Sequence, residues 1–165
     1  MSAFTGEACR LYVMVALAAA VAGKSIALDD FRDTLLDLPG LSPGNSGAAA
    51  LAVIGAEAAI LGAVMAAPRI GMAAALATFA LMWTAILVAL VSRRPLMCNC
   101  FGGRARPVSW FDLVRNLALV GACAWFLRSP PLAGPGLAGW LLLLGVAFIA
   151  FLISTNLDEI AAPAR

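Results

Sequence analysis

Hydrophobic residues in this chain fall in long blocks rather than in short alternations. A helix that crosses a bilayer needs about 20 mainly apolar residues. Five blocks meet that length: residues 8–28, 47–67, 70–92, 109–127 and 137–155. The first has a short charge-free centre, residues 11–23, bounded by Arg10 and Lys24. Both cations are expected to snorkel outward from its ends. The second block carries Glu57 inside it, and the third carries no charge. The fourth has Asp112 and Arg115 in its first two turns. The fifth, with Leu141-Leu142-Leu143-Leu144, is the most purely apolar.

The connections are equally marked. Residues 29–38, DDFRDTLLDL, place Phe31, Leu35, Leu36 and Leu38 at near-helical spacing among acids. That pattern predicts a short helix lying in the membrane interface. Pro39-Gly40 ends it, and Ser42-Pro43-Gly44-Asn45 reads as a turn. Pro68-Arg69 marks a tight reversal, and residues 93–108 a long loop. Ser129-Pro130-Pro131 and Gly134-Pro135-Gly136 separate the last two blocks. The first block also has the look of a signal peptide, with Ala18-Ala19-Ala20 as a cleavage site. Glu7 and a single Arg in its n-region, and Lys24 beyond the apolar stretch, favour a retained helix. No internal repeat is visible.

Composition narrows the class. Hydrophobic residues make up 63% of the 165, and charged residues only 12%, against roughly 45–50% and 25% in soluble domains. Mean hydropathy is +0.97. These values exclude a soluble globular enzyme, a disordered chain and a nucleic-acid binder. The absence of histidine excludes His-based zinc, haem and triad chemistry. The expected fold is all-α, an integral membrane bundle of four core transmembrane helices plus a fifth C-terminal one. It divides into residues 8–127, a Gly/Pro-rich link at 128–136, and the additional helix at 137–155.

Four cysteines are present: Cys9, Cys98, Cys100 and Cys123. Cys98-Asn99-Cys100, followed by Phe101-Gly102-Gly103, is the chemically distinctive stretch. Residues two apart in a turn bring their Cα atoms within the roughly 4.4–6.8 Å a disulfide requires. Asn99 tolerates the left-handed backbone such a turn needs. The small ring is strained and easily reduced, which suits exchange better than stapling. Arg93, Arg94, Arg104 and Arg106 surround the pair and favour the reactive thiolate. The pair reads as a redox or soft-metal site in preference to inert loop cysteines. Cys9 and Cys123 read as apolar filler.

Ionisable residues at membrane depth are costly and are functional candidates by default. Glu57 lies about 15 Å, and Arg115 about 9 Å, from the face bearing the Cys loop. Lys24 ends the first helix just under that face. Asp112 precedes Arg115 by one helical turn, so the two can pair. Glu57 is expected to pair with Lys24 or Arg115, with Asn116 and Thr84 extending the network. Such charges either fix helix register or serve a proton relay or the positioning of the loop.

Four stretches of this sequence together resemble the MauE family of bacterial membrane proteins, related to the DoxX group. They are Ala22-Gly23-Lys24-Ser25, the DDFRDTLLDL segment with Pro39, Glu57 through Gly62, and Cys98-Asn99-Cys100-Phe101-Gly102 followed by Ser109 and Leu113-Val114-Arg115-Asn116-Leu117. The resemblance spans about residues 8–127. Asn99 stands where the family usually has Gly, and the family often has four core helices, which makes the fifth an addition on the bundle edge. The resemblance implies a role in maturation, processing or disulfide formation of the small (β) subunit of methylamine dehydrogenase. It implies Cys98 and Cys100 as the exchanging thiols, with Lys24, Glu57, Asp112, Arg115 and Asn116 in support. The implied partners are a thioredoxin-like protein and a disulfide-containing client, besides the lipid bilayer. No cofactor, dedicated metal site or nucleic acid is implied. The implied location is the bacterial inner membrane, multi-pass.

Sidedness is in tension. One face holds Arg10, Arg69 and Arg128; the other holds Lys24, Arg32, Arg93, Arg94, Arg104, Arg106 and Arg165. The positive-inside tendency places the second face, with the Cys loop, in the cytoplasm. The resemblance places it outside, where client disulfides form. Two other functions compete with thiol exchange. Cys98, Cys100 and neighbouring Met97 suit Cu(I), and the Ala- and Gly-rich helices suit a non-catalytic scaffold.

Overall fold

In lipid, every backbone N–H and C=O must be paired internally, so long apolar blocks fold as helices. The computed structural model describes residues 1–36, 42–92, 97–98, 106–132 and 134–156. Six helices follow one another: α1 (Ser2–Ile26), α2 (Leu28–Leu36), α3 (Pro43–Ala66), α4 (Pro68–Val91), α5 (Trp110–Arg128) and α6 (Gly136–Thr155). All but α2 are long and apolar enough to cross a membrane, and the protein is an integral membrane helical bundle. The spans agree with the apolar blocks to within a few residues. The largest difference is at α1, which begins at Ser2 instead of residue 8.

The connection between α3 and α4 is a single residue, Ala67, with Pro68 at the start of α4. Ala67 N–H donates to Ala63 at 2.8 Å, closing α3, and Gly71 N–H donates to Ala67 at 3.0 Å, opening α4. So sharp a reversal presses the two helices together. A Cβ at Gly71 would lie 2.2 Å from the Val64 nitrogen and 2.4 Å from the Ala63 carbonyl carbon. Glycine is what lets the two backbones touch.

Successive spans run in opposite directions. Trp125 Nε1 on α5 donates to Thr5 Oγ1 on α1 at 3.0 Å, joining the late turns of one to the early turns of the other. Arg10 on α1 reaches the Val64 carbonyl late in α3 at 3.5 Å. The C-terminal end of α1 therefore shares one end of the bundle with the N-terminal ends of α3 and α5. Helix α1 is the hub and touches every other helix, while α4 packs between α3 and α5. Helix α6 lies against α1, at the edge of the bundle. The shared core includes Val13, Leu17, Met72, Phe79, Leu119 and Leu143. Outward positions such as Leu81, Val91 and Leu141 are exposed, as suits a surface bathed in lipid.

Helix α2 follows α1 almost without interruption and packs on α3. It turns Phe31 inward at 7% exposure. Of the apolar residues expected on this segment, Leu38 lies outside the described residues. The region read as a loop after α4 contains a short antiparallel pair, β1 (Met97–Cys98) and β2 (Arg106–Pro107). Met97 faces Pro107 and Cys98 faces Arg106 in the ladder. Two-residue strands carry no periodicity, which is why sequence pattern could not reveal them.

Candidate functional site

In a helix each Cα–Cβ bond tilts toward the N-terminus. Lys24 sits in the last turn of α1, so its side chain leans back into the bundle. Glu57 sits midway along α3, whose N-terminus is at the same end, so its side chain leans up to meet it. The Lys24 ammonium donates to Glu57 Oε1. Lys24 is 1% exposed and Glu57 8%. The expected outward snorkelling of Lys24 is thus reversed: the carboxylate below draws the ammonium inward. Phe31 completes the enclosure, its ring centroid 5.4 Å from Lys24 Nζ, within range for a cation–π contact. Sequence reasoning missed this role. The signal was the seven-residue spacing from Lys24, which returns Phe31 to the same side across two consecutive helices. At the other end of α1, Arg10 pairs with Glu7 at 2.7 Å.

A second group is built on the first turns of α5. Ser109 and Asp112 form a capping box, a local pattern that satisfies helix N-terminal donors. The Asp112 carboxylate accepts from Ser109 N–H at 2.9 Å and Ser109 Oγ at 3.0 Å. Its other oxygen accepts from Arg115 Nη2 at 2.9 Å. Asn116 Nδ2 donates to the Asp112 carbonyl at 2.9 Å. Asp112, Arg115 and Asn116 are 1%, 6% and 3% exposed. One carboxylate therefore serves as helix cap and as counterion to a buried guanidinium.

The two groups face one another. A cavity of about 20 Å³ is lined by Lys24 from α1, Glu57 from α3, and Arg115 and Asn116 from α5, with Phe79 and Met82 of α4 closing the side. Two cations and two anions, Lys24, Arg115, Glu57 and Asp112, thus gather in one half of the bundle with no net charge. Of the partners open to Glu57, its hydrogen bond is with Lys24. Thr84 does not extend the network: its Oγ1 bonds back to the Ala80 carbonyl at 2.8 Å, and the residue is exposed.

This charged half lies at the end from which the β1–β2 hairpin emerges. Pro107, the last residue of β2, is two residues before the Ser109 cap. The pairing with Arg106 sets the Cys98 backbone beside the chain that leads into α5. The Cys98 side chain and the whole of Cys100 lie outside the described residues, as do Arg93, Arg94, Arg104 and the Met97 side chain. Cys9 and Cys123 are free thiols. Cys123 is fully buried in the core, and Cys9 packs against it from α1.

Comparison with curated proteins and with solved structures gives no match. The model of one family, described as methylamine utilisation protein MauE, matches residues 2–129. The match takes in α1 through α5, both charge groups and the Cys-Asn-Cys stretch, and ends before α6. On that coverage the chain belongs to the MauE family of methylamine utilisation proteins.

Proposed function

We propose that this protein is a thiol–disulfide exchange component of the bacterial inner membrane that assists the maturation of an exported, disulfide-containing client. Within the family's setting, the client is the small (β) subunit of methylamine dehydrogenase. Cys98 and Cys100 are the exchanging pair. A thiolate of a thioredoxin-like partner attacks one sulfur of the Cys98–Cys100 disulfide. A mixed disulfide forms as the intramolecular S–S bond breaks. The partner's second thiolate resolves it, leaving the partner oxidised and the pair as two thiols. Two electrons and two protons pass in each cycle, and the same steps run in reverse when the partner delivers a disulfide.

The observation that carries this reading is the β1–β2 pairing. It sets the Cys98 backbone opposite Arg106 on a short stem that leads into the capped start of α5. In this reading the stem presents the pair at the membrane surface, where a partner's thiol can reach it. In this reading Asp112, Arg115 and Asn116 position the foot of the stem, and Lys24 and Glu57 hold α1 and α3 around it. The stem faces the exported side, where disulfides persist.

The test is to trap the mixed disulfide. Cys98→Ser and Cys100→Ser, each expressed in cells that contain the partner, leave one attacking or attacked sulfur. One of the two is expected to accumulate a thiol-reversible adduct with a thioredoxin-fold protein. Absence of any adduct with both variants, together with stoichiometric Cu(I) binding that is lost in the double variant, would replace exchange by metal handling.

A further inference from the structure

Glu57 presents two oxygens to the bundle interior. Oε1 accepts from Lys24. Oε2 is buried and has no hydrogen-bond partner among the described residues. A carboxylate oxygen left so in an apolar interior is costly. It belongs to the residue that lines the 20 Å³ cavity together with Lys24, Arg115 and Asn116. A void of roughly 10–15 Å³ already holds one water, provided two to four polar groups face it.

The wall chemistry selects the occupant. A metal cation would sit against Lys24 and Arg115. An anion would sit against Glu57, and polyatomic anions exceed the volume. An apolar group would leave Oε2 unsatisfied. What the wall accommodates is a small neutral molecule that both donates and accepts. The α5 wall supplies donors, since a guanidinium carries five N–H groups and an amide two.

We propose that this cavity is a binding site for one water molecule. The water donates to Glu57 Oε2 and accepts from the wall formed by Arg115 and Asn116. It thereby joins the Lys24–Glu57 pair to the Asp112–Arg115 group. The resulting network runs from α1 through α3 to the Ser109 cap at the foot of the hairpin. The site goes beyond the thiol reading and does not rest on it, because it is argued from Lys24, Glu57, Arg115 and Asn116 alone.

Radiolytic footprinting of the full chain in lipid nanodiscs reads the site directly, since hydroxyl radicals born at a bound water oxidise the side chains beside it. Met82 lines the cavity. Met72 is 0% exposed and stands apart from the cavity wall, and Met65 is 63% exposed. Met82 is expected to oxidise roughly tenfold faster than Met72. Ala20→Val, which fills the cavity from α1, is expected to bring Met82 down to the level of Met72 while Met65 keeps its rate. If that variant fails to fold, Asn116→Leu, which removes a polar wall, takes its place. The double variant Cys98→Ser, Cys100→Ser is expected to leave the Met82 rate unchanged, which separates this site from the thiol reading. Met82 as protected as Met72 in the unaltered chain would overturn the proposal. So would a Met82 rate that persists in the folded cavity-filled variant.

Discussion

Lys24 and Glu57, 33 residues apart in sequence, close on each other because they lean in opposite senses on antiparallel helices. The pair sits well inside the bundle, where neither charge is tolerable alone. Breaking a buried ion pair on one side costs more than removing both partners, because a single deletion strands the other charge.

Lys24→Met is therefore expected to destabilise the protein by about 3–5 kcal/mol. Lys24→Met combined with Glu57→Leu is expected to recover most of that loss. Unfolding in mixed micelles, run as a double-mutant cycle, checks both. Equal losses in the single and double variants would show that the ammonium acts on something other than Glu57.

The α3–α4 reversal gives a steric prediction. Gly71→Ala sets a methyl against the backbone at Val64 and Ala63, which no rotamer change relieves. A loss of about 1–3 kcal/mol is expected. Gly55→Ala, where nothing lies within 4 Å of the added carbon, is expected to be neutral or slightly stabilising. Comparing the two melting temperatures in detergent separates crowding from helix propensity.

The capping box separates two roles of one carboxylate. Ser109→Ala removes cap hydrogen bonds and is expected to cost about 1 kcal/mol. Asp112→Asn removes the counterion of Arg115 as well, so its loss is expected to exceed that of Ser109→Ala by about 2 kcal/mol or more. Hydrogen exchange at residues 110–114 should show fraying in both variants, and loosening around Arg115 only in the second.

Topology supplies the last prediction. The hairpin and the α3–α4 reversal lie at opposite ends of the bundle. In a Cys9→Ser, Cys123→Ala background, an impermeant maleimide is expected to reach Cys100 from one side of the membrane. It should reach a thiol introduced by Arg69→Cys, with the hairpin cysteines removed, only from the other. A reporter fused after Gly103 is expected to be active outside. Activity inside would place the hairpin in the cytoplasm, as the loop charges favour.

The spans were legible because the bilayer demands one thing of a crossing segment, unbroken apolarity over a fixed length. The start of α1 was not, since Ser2, Thr5 and Glu7 look like an aqueous lead-in. The fold instead uses Thr5 to receive Trp125 and sets Glu7 against Arg10. The charged residues of the site were legible one by one, because each is conspicuous in an apolar run. Their partners were less so: the choice of Lys24 over Arg115 for Glu57 depends on side-chain tilt across a helix interface. Thr84 was misjudged because a hydroxyl can bond to its own helix, as it does with Ala80. The hairpin stem was invisible, being too short to leave a pattern.

The hub position of α1 has a consequence for biosynthesis. This helix is made before α3, so its ammonium meets the Glu57 carboxylate only once the residue 33 positions later has emerged from the ribosome. Until then a hydrated Lys24 is the less costly state, because an unpaired charge in an apolar medium is expensive. Arrival of α3 delivers the carboxylate that draws Lys24 below the surface, so α1 settles to its final depth only after a later helix has entered the membrane.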